Sequence, residues 1–144
     1  MIVRELMTSA VITVLPSMPM FEARDLMRKE RIRHLPVTTL DGRLVGIVTD
    51  RDIRLNLPSQ ATSLSVWEIN HLLAKLTVGD VMTETVISVG PMRPARDAAQ
   101  LMMEHQIGAL PVEDAGRLVG IVTETDLLRA FIKMEAPVGP AGRP

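Results

Sequence analysis

No cysteine occurs among the 144 residues, which excludes disulfides, thiolate metal sites and cysteine nucleophiles. Tyrosine is absent as well. Phe21, Phe131 and Trp67 are the only rings, too few for a platform on which nucleobases stack. An excess of one charge is also lacking: 16 Lys+Arg against 17 Asp+Glu give a net charge of −1, which calls for neither nucleic acid nor an anionic membrane. No apolar run approaches the roughly 18 residues of a membrane span, and the start Met1-Ile2-Val3-Arg4-Glu5 has no signal-peptide shape. The expectation is a soluble cytoplasmic protein. What is present fits a globular domain with a sizeable core: 47% hydrophobic and 23% charged residues, with ten methionines where rings would otherwise stand.

The chain repeats itself. Met7-Thr8 recurs as Met82-Thr83, Pro16 as Pro91, Leu26-Met27 as Leu101-Met102, and Leu35-Pro36-Val37 as Leu110-Pro111-Val112. One residue is then lost, after which Gly42 to Thr49 recurs without change as Gly116 to Thr123, and Asp52 as Asp126. The expected organisation is repeat 1 over 1–57, a linker with a helix over 58–76, repeat 2 over 77–133, and a breaker-rich, mobile tail over 134–144.

Each repeat reads as β-α-β-β-α. A short apolar turn (Val3 to Met7; Val78 to Met82) precedes a β-branched strand, Val11 to Val14 or Val86 to Val89. A helix follows with Pro19 or Pro94 in its first turn and Ala23, Leu26, Met27 or Ala98, Leu101, Met102 at helical spacing. Leu35 to Thr38 is a short strand whose proline suggests an edge or a strand start. Asp41-Gly42 signals a hairpin turn, Leu44 to Val48 pairs across it, and a closing helix begins near Thr49 or Thr123. In the linker, Ser65-Val66-Trp67-Glu68 has capping-box form, and Val66, Ile69, Leu72, Leu73 and Leu76 fall on one stripe. That stripe suits a helix covering the edge between the halves, or a partner contact anchored by Trp67.

A tandem unit carrying Met-Thr, Leu-Pro-Val and Gly-Ile-Val-Thr-x-x-Asp resembles a pair of cystathionine-β-synthase (CBS) domains, a Bateman module, over residues 1–133. Ile32-Arg33-His34-Leu35-Pro36-Val37, Thr49-Asp50-Arg51-Asp52, the start Met1-Ile2-Val3 and the ending Thr125-Asp126-Leu127-Leu128-Arg129 are also similar to bacterial acetoin-utilisation accessory proteins. The further C-terminal regulatory domain of some of those proteins has no counterpart among these 144 residues. The resemblance implies an α/β (α+β) fold of two β-α-β-β-α units packed sheet to sheet about a pseudo-twofold axis. It implies two clefts for adenosine compounds: AMP, ADP, ATP or S-adenosylmethionine as regulatory ligands, with no required cofactor. Phosphate and ribose contacts would come from Thr49 and Asp52 in one copy and Thr123 and Asp126 in the other. Base contacts would come from Ile12, Arg33, His34 and Leu35, and from Ile87, Gly108, Ala109 and Leu110. A homodimer paired through helices and an unidentified effector protein are the implied partners, with no nucleic acid and no membrane. Met20, Met27, Met102 and Met103 are candidates for that helix surface, Met27 and Met102 fitting the core better.

The chemistry is compatible. A carboxylate accepts from both hydroxyls of a ribose diol, and a threonine at a helix start beside open N–H groups can seat a phosphate. Thr-x-x-Asp is equally a helix cap, with threonine as N-cap and aspartate at N3, and both roles can coexist. The copies differ. Arg28, Lys29, Arg31, Arg33, His34 and Arg51 surround the first cleft; Met103, Glu104, Gln106, Gly108, Ala109 and Thr125 replace them in the second, leaving it roomier and less charged. The first site is expected to favour the more phosphorylated ligand, although a basic run at a helix C-terminus is also ordinary. His34, His71 and His105 lack metal-ligand spacing, no phosphate-cradling Gly-x-x-x-x-Gly-Lys loop occurs, and Asp52 and Asp126 recur by duplication rather than as an acid/base pair. The expectation is a regulatory ligand sensor and not an enzyme. A structural dimerisation module with vestigial clefts is the alternative.

Overall fold

The computed structural model describes residues 1–57 and 63–135. In chain order the elements are α1 (Val3–Leu6), α2 (Met20–Glu30), β1 (His34–Thr38), β2 (Leu44–Thr49), α3 (Asp50–Leu55), α4 (Val66–Leu73), α5 (Val78–Val81), α6 (Ala95–His105), β3 (Ala109–Asp114), β4 (Arg117–Thr123) and α7 (Glu124–Met134). Of the expected mobile tail, only Met134 and Glu135 are among the described residues. Met134 closes α7.

Two compact units form, and neither is one sequence repeat. The first comprises Val11–Ile87 with Ala115–Leu118; the second comprises Met1–Ala10, Ser88–Asp114 and the residues from Val119 onward. Each unit takes its short opening helix from the other repeat. In the first, the N–H groups of Val78 and Gly79 at the start of α5 donate to the carbonyls of Met18 (2.8 Å) and Pro16 (2.9 Å), and Met20 N donates to Leu76 O (2.9 Å). In the second, Val3 N and Arg4 N of α1 donate to Arg93 O and Pro91 O (both 2.8 Å), and Ala95 N donates to Met1 O (2.9 Å). Backbone carbonyls thus satisfy helix-start donors that would otherwise have no partner. Pro19 and Pro94 sit at the N-cap, one residue before the expected first turn.

The threonine of each Met-Thr pair extends a hairpin edge. Thr83 exchanges two hydrogen bonds with Ile47 of β2 (2.9 and 3.0 Å), and Thr8 does the same with Ile121 of β4 (2.9 and 3.0 Å). The methionine then lies over the glycine beside that residue. A Cβ on Gly46 would sit 2.6 Å from Met82 Sδ and 3.0 Å from Thr83 O; on Gly120 it would sit 2.5 Å from Met7 Sδ and 3.0 Å from Thr8 O. Glycine is required there for close approach of backbone.

β1 and β2 are antiparallel, with His34 opposite Thr49 and Val37 opposite Gly46; β3 and β4 form the other two-stranded sheet. The first hairpin turns through Gly42 (φ 87°). The residue lost from the second leaves Ala115 and Gly116 at φ 52° and 82°, both left-handed as a tight two-residue turn demands. In the first unit Leu44 N donates to Gly116 O (3.2 Å) and Leu118 N to Gly42 O (3.1 Å). Arg117 Nη1 also donates to the Asp41 carbonyl. The hydroxyl of Thr39 donates to the Asp41 carboxylate and holds it below the ordinary carboxylate range, helped by Arg117 and Arg43.

The β-branched stretches expected as strands shrink to single bridges. Val14 pairs with Val37, its N–H donating to Pro36 O (3.1 Å) and its carbonyl accepting from Thr38 N (3.0 Å). The next upstream rung of a parallel ladder needs a donor from residue 36, and proline has none. Val89 against Val112, with Pro111 in the same place, is the second instance. Pro36 therefore lies inside β1, joined to this neighbour by its carbonyl alone.

The first unit's core is Val14, Met20, Ala23, Met27, Leu35, Val37, Val48, Ile53, Leu73, Val78 and Val81. Met20 is fully buried there, which removes it from the expected helix surface. The second unit buries Val3, Val89, Ala98, Met102, Leu110, Val112, Val122 and Ala130. The α4 stripe is narrower than its spacing implies. Ile69, Leu73 and Leu76 pack on the first core, whereas Val66 and Leu72 are 75% and 53% exposed. Ser65 Oγ accepts from Glu68 N (3.1 Å) and donates to Glu68 Oε1 (3.0 Å), so the cap closes through side chains and not through the Ser65 N–H. Trp67 is exposed and stacks on His71, with ring centroids 5.3 Å apart.

Candidate functional site

In the first unit, the start of β1, the end of β2 and the first turn of α3 meet. Asp50 N donates to Arg33 O (3.1 Å), and the β1–β2 register sets His34 beside Thr49 and Leu35 beside Val48. Arg33, His34, Leu35, Thr49, Arg51 and Asp52 are thus brought together by one hairpin end. Leu35 is buried, His34, Thr49 and Asp52 are half-buried, and Arg33 and Arg51 are exposed. Ile12, half-buried, lies two residues upstream of the Val14 bridge, so the parallel direction carries it to the level of Leu35.

Thr49 and Asp52 make a complete capping box. Thr49 Oγ1 accepts from Asp52 N (3.1 Å) and donates to Asp52 Oδ2 (3.0 Å), which also accepts from Thr49 N (2.9 Å). The hydroxyl proton is therefore committed. What remains is acceptor capacity: one Thr49 lone pair and Asp52 Oδ1, which has no partner among the described residues. Two acceptors match the two donors of a vicinal diol. A phosphate, which offers acceptors, would have to turn to Arg33 and Arg51.

The second unit repeats the box. Thr123 Oγ1 accepts from Asp126 N (3.3 Å), and Asp126 Oδ2 accepts from Thr123 N (2.8 Å) and Thr123 Oγ1 (3.0 Å). Two neighbours that repeat comparison missed make this site different. Arg129, one helical turn on, stands 3.6 Å from Asp126 Oδ1 and competes for the oxygen that is open in the first box. The Glu124 carboxylate lies over Gly108, 3.3 Å from where a Cβ would be. The room expected from glycine is thus partly filled, and by negative charge. Gly108 is half-buried with its carbonyl accepting from Glu124 N (3.0 Å), Ala109 and Leu110 are buried, and Thr125 is exposed. Ile87 is half-buried and falls in the other compact unit. The i,i+3 spacing of Asp126 and Arg129 and the acid at the first helical position were the available signals.

A third Thr-x-x-Asp, Thr77 to Asp80, makes two of these contacts at the start of α5: Asp80 Oδ2 accepts from Thr77 N (2.8 Å) and Thr77 Oγ1 (3.0 Å). It lies on no hairpin end. The motif by itself is a cap; its setting beside Arg33-His34-Leu35 or Gly108-Ala109-Leu110 distinguishes the other two. Among the described residues, no three His, Asp or Glu side chains group closely enough to hold a metal ion, and no helix is long and apolar enough to cross a membrane.

Residues 3–59 and 78–133 match the CBS domain family. The chain belongs to that family. CBSX2 of Arabidopsis thaliana, solved in complex with AMP, is 31% identical and superposes with a TM-score of 0.78 over 94% of this chain and 98% of that one. The protein named AcuB from Vibrio cholerae is 30% identical, with a TM-score of 0.78 over 94% and 93% of the two chains. The CBS domain pair of protein MJ0100, solved with 5′-methylthioadenosine and S-adenosyl-L-methionine, is 31% identical, with a TM-score of 0.74 over 91% and 99%. Both the tandem CBS organisation and the mixed α/β fold are therefore established. An inosine-5′-monophosphate dehydrogenase of Korarchaeum cryptofilum is 39% identical over 118 residues, but this chain spans only 21% of it: what the two share is the CBS region.

Proposed function

We propose that this CBS pair is a regulatory module that binds adenosine compounds, with AMP, ADP, ATP or S-adenosylmethionine as the candidates, and passes the binding on to a partner protein. The observation that carries this reading is the open acceptor pair of the Thr49–Asp52 box beside Arg33 and Arg51, in a chain similar over nearly its whole length to CBS pairs solved with AMP and with S-adenosylmethionine. The diol seats on Asp52 Oδ1 and Thr49 Oγ1, the base lies between Ile12 and the stretch Arg33-His34-Leu35, and phosphate meets Arg51. The second site, from Ile87, Gly108, Ala109, Leu110, Thr123, Thr125 and Asp126, is the weaker for phosphorylated ligands because Gly108 and Thr125 stand where the first has Arg33 and Arg51. We place the repeats at 1–57 and 77–133, the setting in the cytoplasm, and a second copy on the apolar face of α6 and α7, where Met103 is 81% and Phe131 58% exposed.

Calorimetric titration of the four candidates tests the reading. Asp52→Ala should remove the tighter of two binding events and Asp126→Ala the weaker, with the fold intact. The absence of heat for every candidate, or unchanged affinity in both variants, overturns it. Met103→Glu with Phe131→Glu should give monomers by light scattering. The structural alternative draws on Thr77–Asp80, where the same box serves as a cap alone. It predicts no ligand and an unchanged dimer.

A further inference from the structure

The same ten positions in each repeat enclose a groove between the longer helix and the closing helix, and five of them are arginine in the first repeat and uncharged in the second. In the first unit, a cavity of about 460 Å3 is walled by Arg24 and Arg28 of α2, Arg31 and Arg33 of the turn that follows, and Arg54 of α3. Buried Met27 and Ile53 form its apolar floor. One carboxylate, Asp50, joins them, 3.7 Å from Arg54. Among the described residues Arg28, Arg31 and Arg33 have no ion pair. Arg24 lies over the Phe21 ring at 4.7 Å, with its Nε buried and without a hydrogen-bond partner.

In the second unit the five arginine positions hold Ala99, Met103, Gln106, Gly108 and Leu128 around a cavity of about 800 Å3. The backbone there is alike, down to a left-handed residue closing each helix, Arg31 at φ 56° and Gln106 at φ 53°. The scaffold therefore folds without any of the five arginines. Crowding five guanidinium groups round a concave site raises repulsion that a solvated helix end would avoid, and their forks match phosphate oxygens.

We infer that the arginine groove of the first unit is an anion site for a compact oligophosphate, two or more linked phosphates, either free or as the tail of a nucleotide. It is separate from the Thr49–Asp52 box, with only Arg33 in common. The cavity size favours a small ligand over a nucleic acid, and its one nearby ring, Phe21, is covered by Arg24.

Inorganic tripolyphosphate is the probe, titrated calorimetrically into the full chain at low ionic strength. Saturable binding that weakens steeply with salt is expected. Arg28→Gln combined with Arg31→Gln should weaken it by roughly 10-fold per arginine, whereas Lys29→Gln, on the same helix but outside the groove, should change it less than twofold. Asp50→Asn should tighten it, which keeps the inference testable should the double variant misfold. AMP should bind Asp52→Ala poorly while tripolyphosphate binds it as well as the parent chain; ATP that binds Asp52→Ala through its phosphates would identify the tail of a nucleotide as the source. No saturable binding, equal loss in Lys29→Gln, or loss of tripolyphosphate in Asp52→Ala would each overturn the inference.

Discussion

Replacing Gly46 by alanine adds one methyl group to β2, and elementary propensity says that this should help, by about 0.5–1 kcal/mol, because glycine in a strand loses more chain entropy on folding. Here the methyl would stand 2.6 Å from Met82 Sδ and 3.0 Å from Thr83 O, well inside ordinary contact near 3.5–4.0 Å. The thioether can swing away. The carbonyl cannot do so cheaply, because it accepts from Ile47 N at 3.0 Å, one residue along from the new methyl. Overpacking of this kind costs about 1–3 kcal/mol. The net expectation is a loss of about 1–2 kcal/mol, a Tm lowered by about 3–6 °C for a chain of this length. Gly120→Ala should lose a similar amount against Met7 and Thr8 O. Gly90→Ala is the control: its Cβ meets nothing nearer than Arg93 Cγ at 3.6 Å, so it should be neutral or slightly stabilising. Urea unfolding of the three variants reads the signs directly, and pairing Gly46→Ala with Met82→Ala should recover about 1 kcal/mol as coupling. If Gly46→Ala and Gly120→Ala unfold with or after the parent chain, the tight crossing of Met-Thr over the hairpin is refuted.

Gln106 closes α6 in a left-handed conformation, so Gln106→Gly should stabilise by about 1 kcal/mol, read as a higher urea midpoint at unchanged m-value. Asp80→Ala removes a cap without a ligand setting, so it should cost about 1 kcal/mol and leave AMP affinity untouched. The Asp41 carboxyl should titrate by NMR below the ordinary carboxylate value, and Thr39→Val should move it back upward. Because the folded state lowers that value, the associated stability is present above the unfolded pKa and disappears as pH falls through the folded one, a dependence that Thr39→Val should flatten.

Much of this was legible in the residues. Duplicate landmarks marked the two repeats, Asp41-Gly42 marked the hairpin, and Thr-x-x-Asp marked the start of each closing helix, because caps and turns act over four residues or fewer. Val11 to Val14 read as a strand because β-branched residues report propensity only; whether a ladder can extend depends on the partner, and Pro36 supplies no donor. Self-similarity shows which residues are alike but not which copy they pack against, so the placing of Met7-Thr8 on β4 was invisible. The open oxygen of Asp52 was equally hidden, and its rival at Asp126 showed only as the i,i+3 spacing of Arg129, where the first repeat has Leu55.

The exchange of opening helices also sets an order of events during synthesis. Met1–Ala10 leave the ribosome long before β4, yet Thr8 waits for Ile121. The first unit can mature earlier, needing nothing beyond Leu118. Throughout that interval Val3 and Met7 have no core to enter, and the unpaired edge of β4 in a neighbouring nascent or refolding chain is an equivalent acceptor. Chains refolded at high concentration should therefore exchange residues 1–10 and emerge as interlocked pairs, and chains refolded in dilution should not.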